Sequence, residues 1–234
     1  QKSKEYGALT ACITNEPDSE MAKASDFSIF CHAGPEKSVA ATKTYTTTLA
    51  ALCMLSASMA GRDDLIKELY EVPGQIEALI SSCEDEIRSR AERYRYMDEC
   101  IVLARGISRA TAFEAALKLA ETCYVKVEPY SSADFLHGPI AIVQEGMPCF
   151  LYAPEGPAYA SMVEMAKRLK ERGAELIAVS SGNEILSMAD TSFKVPVQMD
   201  DLLSPIVYIV VGQIFAQYLA ITKGLDPDNP RGLS

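Results

Sequence analysis

Hydrophobic positions along this chain follow two spacings. Short apolar runs at 8–13, 99–103, 148–152 and 175–179 have the length of strands. Longer stretches at 39–59, 110–124, 159–172 and 205–223 carry apolar residues at helical spacing. Strands that alternate with helices of this length predict βαβ units and a parallel sheet. Gly7 and Gly173 stand at helix-to-strand joints, where a helix C-cap is expected. The expected fold is α/β, doubly wound, in two lobes.

A weak internal repeat supports the two lobes. Residues 7–14 (GALTACIT) line up with 173–180 (GAELIAVS) at an offset of 166. Ala24-Ser25-Asp26 then resembles Met188-Ala189-Asp190 at an offset of 164. Each copy runs on into a short apolar segment, an acidic turn (Glu36; Asp200-Asp201) and a long apolar helix. The second copy begins near residue 99, whereas only six residues precede Gly7, and these read as the last turns of a helix. The first lobe is therefore expected to be incomplete at its N-terminus, short of about 68 residues. The expected organisation is 1–60 for the end of a first lobe and 61–97 for a helical linker broken at Val72-Pro73-Gly74. Residues 98–225 form the second lobe, and 226–234 the start of a tail.

Composition narrows the partners. The 234 residues carry 32 acidic and 22 basic side chains, a net charge of −10, which argues against nucleic acid. No run of about 18 uniformly apolar residues predicts a membrane span, and the N-terminus has no signal-peptide core. The seven cysteines fall singly, mostly within apolar stretches, and read as buried hydrophobes in a reducing, cytoplasmic compartment.

Three segments can carry chemistry. Residues 36–46 (EKSVAATKTYT) follow a Gly-Pro turn with small and hydroxyl side chains at the start of an apolar helix. Backbone N–H groups there can meet an anion, or Ser38 simply caps the helix. Residues 103–111 (LARGISRAT) place a glycine turn after a strand, without the glycine spacing of a dinucleotide or P-loop motif. The helix 110–124 puts Glu114, Lys118 and Glu121 on one face, either a solvated salt-bridged face or a functional stripe. Beyond it, His137, one of two histidines, sits in the polar stretch 131–139 (SSADFLHGP), a candidate acid or base.

Taken in order, residues 38–46 (SVAATKTYT), 114–121 (EAALKLAE), His137-Gly138-Pro139 and 228–233 (DNPRGL) resemble the signature segments of the sugar isomerase (SIS) domain family. They are similar to those of the isomerase half of glucosamine-6-phosphate synthase and of isomerase-only amino-sugar phosphate isomerases and deaminases. The resemblance implies two flavodoxin-like lobes and an enzyme acting on fructose 6-phosphate or glucosamine 6-phosphate. It implies that Glu121 shuttles a proton between C1 and C2, that Lys118 assists it and that His137 opens the ring. Val39 and Thr42, in the segment at the sugar, are its expected binding residues. It further implies a homodimer in which His137 reaches the neighbouring subunit's site, and no metal or other cofactor.

Departures accompany the likeness. Ala41 stands where the family has serine. The family's phosphate-binding loop would fall in the stretch missing before Gly7, and its Schiff-base lysine would follow Ser234. Residue 1 is Gln, so glutamine-dependent amination, which needs an N-terminal cysteine, is not expected of this chain alone. A sugar-phosphate-sensing module without catalysis is the alternative, but a sensor has no use for a shuttling carboxylate and a loop histidine. The adjacent apolar pair Phe135-Leu136 is expected to be covered by a partner subunit, since burying each is worth roughly 2 kcal/mol.

Overall fold

A computed structural model describes residues 2–232. The elements run α1 (Lys2–Glu5), β1 (Ala11–Thr14), α2 (Glu20–Ala24), β2 (Phe27–Phe30), α3 (Lys43–Ala60) and α4 (Asp63–Ala91). They continue with β3 (Glu99–Ala104), α5 (Arg109–Cys123), β4 (Lys126–Ser131), α6 (Ser132–Phe135) and β5 (Pro148–Ala153). Last come α7 (Tyr159–Glu171), β6 (Glu175–Ser180), α8 (Asn183–Met188), β7 (Thr191–Lys194) and α9 (Ser204–Thr222). The second lobe's sheet has the order β4-β3-β5-β6-β7, with every neighbouring pair parallel. That is the doubly wound order in which ligands lie beyond the carboxyl ends of the strands.

Alternate residues of each strand feed two cores. Val102, Phe150, Tyr152, Ile177 and Val179 pack under α4, α5 and α9, while Ile101, Leu103, Leu151 and Leu176 pack under α7. Both faces are covered, so the strands are apolar throughout rather than alternating. Helix α9 lies close on α5 because Gly212 has no side chain; a Cβ there would collide with Tyr152 Oη and stand 3.2 Å from Ala115 Cβ. The stretch Asp201–Thr222 is long and apolar enough to cross a membrane by composition, with a mean hydropathy of 1.6. In the fold, 72% of that window is buried, as befits a core helix. Five cysteines are buried, Cys31 and Cys53 are half-buried, and all seven are free thiols.

The internal repeat recurs in strand register and in the bonds of its latch. Ala11 pairs with Phe27 and Ile177 with Thr191, which are the positions the two offsets equate. Asp26 accepts from Thr10 N at 2.8 Å and meets Lys4 at 2.9 Å; Asp190 accepts from Leu176 N at 2.8 Å and meets Lys170 at 3.0 Å. Gly7 and Gly173 take φ of +77° and +76°, each donating to the carbonyl three residues back. Lysine, glycine cap and aspartate latch are one device, used twice.

Three expectations need correction. The break at Val72-Pro73-Gly74 does not occur: α4 runs on through Pro73. Leu69, Val72 and Leu79 hold that turn against α9, and this packing outweighs the one ladder bond Pro73 cannot make. Ser38 does not cap α3, which begins at Lys43 after Thr42; its hydroxyl donates to Pro227 O instead. Phe135 needs no partner subunit, because it is fully buried in its own lobe beside Tyr130, while Leu136 remains 38% exposed.

Candidate active site

Helix α5 carries the charged stripe, and two of its three members are buried. Lys118 is 4% exposed and Glu114 8%, because α9 and residues 38–42 close over that face. Lys118 Nζ lies 2.7 Å from Glu121 Oε2 and 3.5 Å from Glu114 Oε1. One ammonium thus serves two carboxylates one turn apart on either side of it. Burial pushes the Glu114 carboxyl above its ordinary value against the pull of Lys118. Burial, with Glu114 adding to it, pushes the Tyr45 phenol up to about 12; its Oη donates to Ala110 O.

Lys118 opens onto a cavity of about 320 Å³. Thr122 of α5, Gln213 and Gln217 of α9, Ile80 of α4, Ser38 and Thr42, and Pro227 and Asp228 surround it. Both lobes and the C-terminal segment therefore meet at one place. Residues 38–42 hold their position through bonds outside themselves. Glu36 accepts from Thr44 N at 3.0 Å and Thr44 Oγ1 at 2.7 Å, which keeps its carboxyl below the ordinary value although burial pushes the other way. Val39 N donates to Asp228 O at 3.3 Å, and Ser38 Oγ to Pro227 O at 3.2 Å. The C-terminal segment is pinned again further on, where Arg231 stacks 4.1 Å above the Tyr124 ring and its N–H donates to Tyr124 Oη.

Of the residues expected to form a site, Lys118 and Thr42 line this cavity, and Glu121 does not line it but accepts from Lys118. Val39 does not line it, although its neighbours Ser38 and Ala40 do, and it is 42% exposed. His137 stands apart, exposed after α6, and its ring bonds to no other described residue. Leu233, the last residue of the motif at 228–233, and Ser234 lie outside the described residues. Among the described residues, no group of three His, Cys, Asp or Glu could hold a metal ion. Gln213 and Gln217 are cavity residues that the motifs do not point to. A signal was present all the same: two amides four apart in an otherwise apolar helix.

Comparison with known proteins bears on this arrangement. The SIS domain model matches residues 1–58 and 97–223. Glutamine–fructose-6-phosphate aminotransferase of Thermococcus kodakarensis is 38% identical over 241 residues, covering 99% of this chain and 40% of that protein. The protein of the same name from Aquifex aeolicus is 35% identical over 237 residues, with 100% and 40% covered. Among solved structures, the C-terminal domain of glucosamine-fructose-6-phosphate aminotransferase from Francisella tularensis superposes with a TM-score of 0.89. The identity is 27%, over 98% of this chain and 67% of that one. The chain spans about 40% of the length of the curated relatives it matches.

Proposed function

The chain belongs to the SIS domain family, and from that premise we propose that it catalyses proton transfer between C1 and C2 of a hexose 6-phosphate or its 2-amino derivative. The observation that carries this reading is the charged triad on α5, in which Lys118, buried at the cavity wall, pairs with the buried Glu114 and the partly exposed Glu121. A sensor would need to bind the sugar phosphate. It would have no reason to keep a lysine 4% exposed between two carboxylates, since desolvating such charges costs several kcal/mol per ion.

Interconverting a 2-ketose and an aldose, or its 2-amino counterpart, passes through an enediol or enolamine. One carboxylate can take the proton from one carbon and return it to the next if it reaches both. Glu121, paired with Lys118 and 25% exposed at its side chain, takes that role. Lys118 faces the cavity as a cation and stabilises the oxygen on which negative charge develops. Thr42 and the backbone at Val39 hold the sugar. His137 opens the ring from a second copy of the chain, consistent with its exposed place away from this copy's cavity. The relatives named above carry fructose-6-phosphate in their names, which makes fructose 6-phosphate and glucosamine 6-phosphate the substrates to test first.

Incubating the full natural chain with glucosamine 6-phosphate, and assaying ammonia and fructose 6-phosphate, separates the possible reactions. From glucosamine 6-phosphate, both products together mean deamination, whereas glucose 6-phosphate formed from fructose 6-phosphate in a parallel incubation means aldose–ketose isomerisation. Tight binding with neither product, from either sugar phosphate, overturns the catalytic reading.

A further inference from the structure

Residues 38–42 form a wall of the cavity without belonging to a helix or strand. The last of them, Thr42, precedes α3 with φ −125° and ψ −64° and makes no side-chain cap bond. Its carbonyl accepts twice, from Thr46 N at 3.2 Å within α3 and from Gln213 Nε2 at 3.3 Å across the lobes. The second bond is the tie between this wall and the core of the second lobe. The other ties, to Pro227 and Asp228, run to a segment with no helix or strand of its own.

The repeat offers an internal control. Helices α3 and α9 end in the same cap: Arg62 N bonds to Ala57 O and Leu225 N to Ala220 O, both at 2.9 Å, beside Gly61 and Gly224 in the left-handed region. Aligned on that cap, at an offset of 163, Gln213 falls on Ala50 and Gln217 on Met54. The fold of such a lobe therefore does not require an amide here. It occurs in the copy whose helix lines the cavity.

We infer that Gln213 is a positioning residue for the reaction, fixing Thr42 and with it the sugar-binding segment 38–42 against Lys118. The inference rests on the proposed reading of the cavity as the sugar-phosphate site. A bond of this kind acts by holding a loop in its binding geometry, so its loss loosens substrate more than it slows the chemical step.

Two variants of the full natural chain test it. Q213M keeps the length of the side chain and has no donor, whereas Q213E can donate to Thr42 O only when protonated. In Q213M, backbone amides of 38–44 should exchange with solvent about tenfold faster. KM should rise about tenfold while kcat stays within about threefold. Q213E should match Q213M at neutral pH and return toward the wild type as the solution is acidified, a recovery Q213M should not show. Wild-type exchange at 38–44 in Q213M overturns the inference, and so does a Q213E pH profile that runs parallel to that of Q213M. If the wild type turns over neither sugar phosphate yet Q213M still loosens 38–44, the reaction is misassigned and the tie itself stands.

Discussion

Lys118 is the residue on which the site's electrostatics turn. It neutralises two carboxylates at 2.7 and 3.5 Å in a place that is nearly dry. Replacing it with methionine leaves Glu114 buried without a counter-charge, which should cost about 3 kcal/mol near neutral pH. The sign with pH follows from Glu114, whose carboxyl burial has raised above its ordinary 4.5. A raised acid binds its proton more tightly folded than unfolded, so stability is lost as pH rises through the raised value and regained on acidification. Urea midpoints of K118M against wild type should therefore converge as the solution is acidified from neutral pH toward the ordinary carboxylate value. Adding E114Q to K118M should recover part of the loss at neutral pH. Of this site, the spacing of Glu114, Lys118 and Glu121 is legible in the sequence because helical period fixes which residues share a face. That the face is buried is not, since burial depends on α9 and on residues 38–42, which are distant in sequence. Gln213 is marked in the sequence only as one of two amides in an apolar helix, and that it faces the cavity is hidden for the same reason.

Among the elements, the strands and long helices are legible to within a few residues because apolar period and length report them directly. Helix α4 departs from the expected break at Pro73, where a local breaker loses to packing on α9. Gly74, on the exposed side of the same turn, has no positive φ, and a Cβ added there would meet nothing within 4 Å. G74A should therefore stabilise the chain by about 1 kcal/mol through helix propensity alone. Gly212 in α9 makes the opposite case. A Cβ there meets the buried Tyr152 hydroxyl and Ala115, so G212A should destabilise by about 2 kcal/mol despite the same gain in propensity. Denaturant midpoints of the two variants should move in opposite directions. The repeated latch of lysine, glycine and aspartate shows in the sequence only as a faint offset, because the bonds that define it run to backbone groups.

At the scale of the whole molecule, the two lobes meet at one cavity while His137 stands outside it. Phe135 lends no support to a partner subunit, because its ring fills its own core. What remains is that His137 and Leu136 are exposed, with His137 away from the cavity proposed to bind the sugar phosphate. Heterodimers of inactive E121Q and inactive H137A subunits should regain about one working site in two if the histidine acts across a two-fold axis. Heterodimers that form but stay inactive would place His137 in its own chain's site. Solvent deuterium entering carbon-bound positions of fructose 6-phosphate reports the proton transfer itself, independent of any amino donor. The full wild-type chain should carry deuterium into C1 or C2, and E121Q should slow that exchange by about a thousandfold while still binding the sugar phosphate. Exchange by E121Q at the wild-type rate would contradict the assignment of Glu121 as the proton carrier.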